Sequence, residues 1–215
     1  MRGSGVHQSE FRPVSHFDEV ALSGFGTVNV YVGQAPSVEV TTDDNLLVHV
    51  ETVVEDGRLT IRPLGPIRPR TGLNVNVGVP QLTVAKVSGA GDVHVHNASG
   101  EHLDMSISGA GTMSATGYVQ HLSTRISGAG DADMKELVAH VAEVTISGAG
   151  DAEVFALDSL NANVSGAGDV TCYGSPPHVV QNVSGAGDIE LCDHDDEAHL
   201  SISDARSQAH GPMMR

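Results

Sequence analysis

The stretch Ala142-Glu143-Val144-Thr145-Ile146-Ser147-Gly148-Ala149-Gly150-Asp151-Ala152-Glu153-Val154 decides the fold. Every second residue in it is apolar or glycine: Ala142, Val144, Ile146, Gly148, Gly150, Ala152 and Val154. A period of two marks a half-buried β-strand. The tetrapeptide Ser-Gly-Ala-Gly at its centre recurs along the chain, starting at Ser88, Ser108, Ser127, Ser147, Ser165 and Ser184. Near-equal spacing of this kind is the mark of a repeat architecture. An altered copy, Ser23-Gly24-Phe25-Gly26, precedes the first across a long gap, with room for about three further units plus an insertion.

The other copies keep the same parity. Leu103, Met105, Ile107, Met113 and Ala115 share one face around the second copy, Leu160, Ala162, Val164, Val170 and Cys172 around the fifth, and Val20, Leu22, Val28, Val30 and Val32 around the altered one. The glycines fall on the same face, in pairs: Gly24 and Gly26, Gly89 and Gly91, Gly109 and Gly111, Gly128 and Gly130, Gly148 and Gly150, Gly166 and Gly168, Gly185 and Gly187. They are expected at inward bends that leave no room for a side chain and need permissive torsions. One such short unit cannot bury its apolar face alone, whereas stacked units close a continuous core. The expected fold is therefore all-β, a single-domain parallel β-solenoid (β-helix) with one motif per coil.

Outside the repeat, Val38–Thr41, Leu47–Val54, Arg58–Arg62 and Leu73–Val79 also read as strands, with the Pro-rich loop Pro63–Arg70 kept out of the ladder. Met134–Val144 could offer a turn or two of helix, but the flanking Gly-x-Gly pairs and the β-branched residues favour strand. Residues 1–10 read as a leader or appended start, 11–192 as the solenoid domain, and 193–215 as a polar acidic tail that frays or caps.

Acidic residues outnumber basic ones 27 to 11, for a formal charge of −16, which argues against nucleic acid or anionic lipid as partner. No apolar run is long enough to cross a membrane, and the N-terminal stretch lacks the pattern of a signal peptide. Cys172 and Cys192 are the only cysteines, and their opposite parity about their motifs predicts that no disulfide joins them.

Arg12-Pro13-Val14-Ser15-His16-Phe17-Asp18-Glu19-Val20, the Ser-Gly-x-Gly after it, Asp43-Asp44-Asn45-Leu46, the Asp56-Gly57-Arg58-Leu59 turn and the serial Ser-Gly-Ala-Gly-Asp units resemble the bacterial "putative auto-transporter adhesin, head GIN domain" family over residues 11 to 192. The resemblance implies a parallel β-solenoid placed outside the cytoplasm, usually after a signal peptide or lipoprotein signal. It brings no catalytic residues. The chain departs from the family by placing Ala between the glycines and by its His-containing tail.

Motifs that would carry chemistry are sparse. Gly-Ala-Gly lacks the third glycine of a dinucleotide loop and the lysine of a nucleotide loop, and neither Gly-x-Ser-x-Gly nor His-Glu-x-x-His occurs. A carbohydrate-active solenoid enzyme, lyase or hydrolase, is the enzymatic alternative, and needs two carboxylates and a base converging in a cleft. A calcium-binding repeat is the other alternative, although the nonapeptide calcium spacing is not matched. Asp131, Asp151, Asp169 and Asp188 recur at one offset and form an expected outward carboxylate row about 4.8 Å apart, a candidate for weak calcium. Asp92, His94 and His96 share outward parity on one strand, and His194, Asp195, Glu197 and His199 cluster in the tail; both read as solvated surface before they read as metal sites.

The reading is a non-enzymatic, extracytoplasmic, adhesin-like or envelope-organising module with an acidic repeat face. No cofactor is expected to be obligatory. A cell-surface glycan or an envelope protein is the candidate partner, and homo-oligomerisation stays open.

Overall fold

A computed structural model describes residues 1–192. Its strands are β1 (His7–Arg12), β2 (Glu19–Gly24), β3 (Thr27–Val32), β4 (Ser37–Asp43), β5 (Val50–Glu55), β6 (Arg58–Pro63), β7 (Asn74–Val79) and β8 (Val84–Gly89). Four long strands follow, β9 (Asp92–Gly109), β10 (Thr112–Ile126), β11 (Asp131–Ile146) and β12 (Ala152–Val164), and then β13 (Val170–Tyr173), β14 (His178–Val183) and β15 (Ile189–Cys192).

Each long strand runs along one wall of the solenoid, turns near its middle and returns along the other, so two stacked ladders enclose the core. The first wall runs β1-β4-β7-β3 and then through the leading halves of β9 to β12 to β13 and β15. The second runs β5-β6-β2-β8 and then through the trailing halves of β9 to β12 to β14. All pairings are parallel except β1–β4, β4–β7 and β5–β6. Handing a chain from wall to wall in register is what the period-two pattern demands, and the inward apolar side chains named above are buried. Met134–Val144 lies inside β11 as strand.

The motifs form one column. Ala149 N donates to Gly128 O, Ala167 N to Gly148 O and Ala186 N to Gly166 O, each at 2.8 Å, so the backbone ladder continues through the bend. The second glycine of each pair faces inward as expected, since a Cβ on Gly130 would lie 2.7 Å from Ile107 Cγ2, but what the first glycine spares is different. A Cβ on Gly148 would lie 2.8 Å from Gly128 N and closer still to its carbonyl oxygen, and one on Gly166 would meet Gly148 in the same way. The side-chain position is occupied by the coil below, along the stacking axis. Left-handed torsion contributes only in the early coils, as at Gly109 with φ +142.

The gap before the repeat holds one extra coil and a cap rather than three units. β6 and β7 stack against β2 and β3 on the side away from the repeat, so the first coil in sequence is the second in space. Beyond them lie antiparallel β4 and β5, the latter joined to β6 by the tight turn Asp56-Gly57, whose φ values of +50 and +80 suit a type I′ hairpin. Leu47–Val54 is not one strand. Asp44–His49 forms a 3-10 turn that drives the adjacent Leu46 and Leu47 into the core together, which alternating strand positions could not do.

Residues 1–10 are built into this end instead of preceding it. Gly3 N donates to Arg68 O at 3.0 Å, and β1 pairs with β4 from His7 onward. Asp43 ties the parts together. Burial alone would raise its pKa, but the amides of Arg70, Thr71 and Gly5 and the Thr71 hydroxyl donate to its carboxylate at 2.8, 3.2, 2.6 and 3.2 Å and hold its pKa below the ordinary value.

Candidate ligand-binding face

The first wall presents its outward side chains in rows set by strand register. One row starts Phe11, Glu39, Asn76, Asn29, His94 and Ser114, then continues through Asp133, Glu153, Thr171 and Glu190. Nine strand steps at ~4.8 Å make it roughly 43 Å long. It is aromatic and amide-rich at the capped end and carboxylate-rich toward β15.

The aspartate row lies beside it. Asp151 N donates to Asp131 Oδ1 at 3.0 Å, Asp169 N to Asp151 Oδ1 at 2.8 Å, Asp188 N to Asp169 Oδ1 at 2.8 Å, and Ile189 N to Asp188 Oδ1 at 2.8 Å. Asp92 does the same for Thr112 N at 3.1 Å. From Asp92 to Asp169 each carboxylate thus accepts the amide that follows the next bend, where the strand ladder has a gap. Among the described residues no three His, Cys, Asp or Glu side chains converge as a metal site. His94 Nδ1 pairs with Ser114 Oγ at 2.7 Å while the His96 ring stacks on Tyr31, so Asp92, His94 and His96 do not form a common grip. His194, Asp195, Glu197 and His199 lie outside the described residues.

At the capped end the wall dips into a shallow, open recess of about 220 Å³ lined by Phe11, Tyr31, Gln34, Ser37, Glu39, Asn76, Val77 and Gly78. Gly78 is buried in its floor, and a Cβ there would strike Ser37 Oγ and Ala35 O. Phe11 is 73% exposed, more than any other large apolar side chain among the described residues. Tyr31 and His96 stack at 4.9 Å with planes 17° apart. Between the rings runs a hydrogen-bond chain in which Asn29 Nδ2 donates to Asn76 Oδ1 at 3.2 Å and Asn76 Nδ2 to Glu39 Oε2 at 3.3 Å. An exposed Phe11 ring and the half-buried Tyr31 and His96 rings around fixed amide and carboxylate groups form a platform for a ligand that has both an apolar face and hydroxyls. The sequence reading missed it because its aromatics lie on β1, β3 and β9, far apart in the chain; the outward parity of Asn29, Tyr31 and Asn76 was the available signal.

Two other clusters carry titratable groups. Lys135 Nζ lies 3.2 Å from both Asp133 Oδ2 and Glu153 Oε2, and these bonds, that to Glu153 foremost, raise the Lys135 pKa. All three side chains are 42 to 46% exposed on the first wall. Tyr118 Oη meets His140 Nε2, and His140 Nδ1 pairs with Asp158 Oδ2 at 2.5 Å. That trio has the order of a nucleophile, base and orienting acid, yet Asp158 is 62% exposed, on three successive strands of a convex surface. Cys172 is buried, which pushes its thiol pKa up to about 11, and no disulfide joins it to Cys192, since it pairs in register with Leu191 instead.

The architecture is that of a capped parallel β-solenoid with a long polar face and an aromatic recess. The chain belongs to the family described as "Putative auto-transporter adhesin, head GIN domain", whose model matches residues 16–176. A putative adhesin from Bacteroides fragilis shares the fold with a TM-score of 0.71 at 20% identity, over 89% of this chain and 100% of that one. A putative adhesin from Parabacteroides distasonis matches at TM-score 0.58 and 24% identity, over 89% and 99%. A putative lipid binding protein from the same organism matches at 0.54 and 21%, over 89% and 99%. A comparison with curated proteins finds no match. No helix among the described residues is long and apolar enough to cross a membrane.

Proposed function

We propose that the chain is a non-enzymatic, extracytoplasmic adhesin-like module that binds neutral cell-surface glycan at the recess of Phe11, Tyr31 and Glu39. The observation that carries this is the exposed Phe11 ring and the Tyr31–His96 stack flanking an Asn29–Asn76–Glu39 chain. Rings receive the C–H face of a sugar, and the amides and carboxylate take its hydroxyls. The net charge of −16 disfavours anionic glycans, since no basic residue lines the recess to offset it. Glu39 is its one lining carboxylate, whereas glycoside cleavage needs a pair, which favours binding over hydrolysis. The acidic run from Asp133 to Glu190 then serves as a solvated spacer, and the family's naming as adhesins supports a place outside the cytoplasm.

A glycan array probed with the full chain and with Phe11→Ala tests the reading. Binding to neutral glycans that weakens at least tenfold in Phe11→Ala, with unchanged melting, supports it. A silent array, or binding indifferent to the substitution, overturns it.

A further inference from the structure

The first wall ends on a strand that stands clear of the core. Among the described residues β1 pairs with β4 alone, and residues 7–11 are all exposed, whereas Val38 and Val40 on β4 are buried. Asp44 N donates to Val6 O at 2.8 Å. Because bonded and non-bonded pairs alternate between antiparallel strands, Gln8, Glu10 and Arg12 then turn their backbone groups to β4, while His7, Ser9 and Phe11 turn theirs to the free edge. Such an edge is a template for another strand.

The edge is symmetric about Ser9. Gly5, with φ +90, ends the extended stretch on one side, and Pro13, which has no N–H, ends it at the same distance on the other. A second β1 laid antiparallel, with Ser9 opposite Ser9, brings every free backbone group of both strands into a bonded pair: Ser9 with Ser9, and His7 with Phe11 twice over. Centring on Phe11 instead sets Ser9 against Pro13, and centring on His7 sets Ser9 against Gly5, so either shift loses bonds. On the wall face, the Ser9 register lays each exposed Phe11 ring beside a His7 ring; on the opposite face it sets Gln8 against Glu10, amide to carboxylate. Charge favours the same end. Arg2, Arg12, Arg58, Arg62, Arg68 and Arg70 lie within residues 1–79 beside nine acidic residues, whereas residues 80–192 hold three basic residues and thirteen acidic ones. Copies that meet at β1 keep their acidic repeats far apart.

We propose that a second copy of this chain pairs with the free edge of β1, antiparallel about Ser9, to give a twofold dimer whose first walls form one continuous sheet. Both recesses then open on the same face of that sheet, each with His7 of the second copy next to its Phe11.

Sedimentation equilibrium of the full chain, with no glycan present, tests this independently of the glycan array. The expected result is a dimer at micromolar concentration. Ser9→Pro removes an N–H that faces the free edge and none that β4 uses, and His7→Pro does the same at the start of the strand. Each should weaken dimerisation at least tenfold while circular dichroism stays unchanged. Thr41→Ala, which removes the 2.7 Å hydroxyl pair with Ser9 and leaves the edge amides, should stay dimeric. On oxidation Ser9→Cys should form a covalent dimer, since directly opposed Cα atoms lie about 5.5 Å apart, within disulfide reach; His7→Cys, whose copy lies well along the strand, should not. A monomer throughout, a larger assembly, a dimer indifferent to both prolines, or equal cross-linking by the two cysteines overturns the proposal.

Discussion

Gly148→Ala, a single methyl group, should be among the most damaging small changes in the repeat. The added carbon would lie 2.8 Å from Gly128 N and 2.9 Å from Gly128 C, where real side-chain carbons stay beyond about 3.0 Å. The obstacle is backbone, so no rotamer relieves it. Coils 128 and 148 must part by several tenths of an ångström or more, which stretches the 2.8 Å bond from Ala149 N to Gly128 O. Overpacking costs ~1 to 3 kcal/mol. A weakened ladder bond inside the column adds ~1 to 2 kcal/mol. Against this, Gly→Ala stiffens the unfolded chain by ~0.4 to 1 kcal/mol. The net loss is ~1 to 4.6 kcal/mol, or a fall in Tm of about 2 to 18 °C at ~2 to 4 °C per kcal/mol for a chain of this size. Ala149→Ser, whose side chain faces solvent, is the control and should leave Tm within a degree or two. Thermal melts by circular dichroism read both. A Tm raised by Gly148→Ala, as expected for a loop glycine with free space, would refute the stacking argument; so would equal shifts for the two variants.

Three further outcomes follow from the same geometry. Because the folded-state pKa of Asp43 is depressed, its contribution is complete above the unfolded value of about 3.9 and is lost as pH falls through the folded value. The Tm gap between wild type and Asp43→Asn should therefore be wide at neutral pH and close below pH ~4, and a gap constant with pH would count against the network. In the aspartate row, Asp151→Asn keeps an acceptor for Asp169 N and should be near neutral, whereas Asp151→Ala removes it and should cost about 1 kcal/mol. Millimolar calcium decides the remaining role of that row: a rise in Tm that Asp151→Asn with Asp169→Asn abolishes supports a cation site, and no rise leaves the row to the amides alone. Thr124 is buried in the apolar column between Met105 and Val144, and its hydroxyl has no hydrogen-bond partner, so Thr124→Val should raise Tm by about 2 to 4 °C, as differential scanning calorimetry would show.

The wall pattern was legible because the repeat states it many times over: a strand slipped by a single position would expose Val144 and Ile146 together and bury Thr145, so a single register survives. The aspartates were placed correctly in an outward row, but their bonds were not readable, since a carboxylate that accepts the next coil's amide has the same spacing as one awaiting a cation. The first glycine of each pair was read as inward because parity describes two faces only. The third direction, along the stack, exists only once coils are superposed, and that is where Gly128 O occupies the space. The out-of-order coil was hidden for a related reason: β6 and β7 reach β2 and β3 across an excursion that carries no period. At Leu47 the expected strand began inside a 3-10 turn, where the neighbouring Leu46 and Leu47 are both buried, as alternation cannot arrange.

The recess falls at the capped end for a physical reason. At the motif itself, each outward side chain has near-copies of itself one strand spacing above and below, and there the residues are small ones, or carboxylates that share amides with the next coil. A recess between rings needs unlike neighbours. Those occur where strands from distant parts of the chain meet, and Phe11, Glu39, Asn76 and Asn29 come from β1, β4, β7 and β3, four strands that are scattered in sequence yet adjacent in space. Antiparallel pairing of β4 places Ser37 beside Gly78, whose missing side chain lets Ser37 Oγ and Ala35 O pack onto the strand there. Recognition is therefore expected to depend on the cap and to be indifferent to substitutions among Asp133, Glu153 and Glu190, which share its row but lie several strands away.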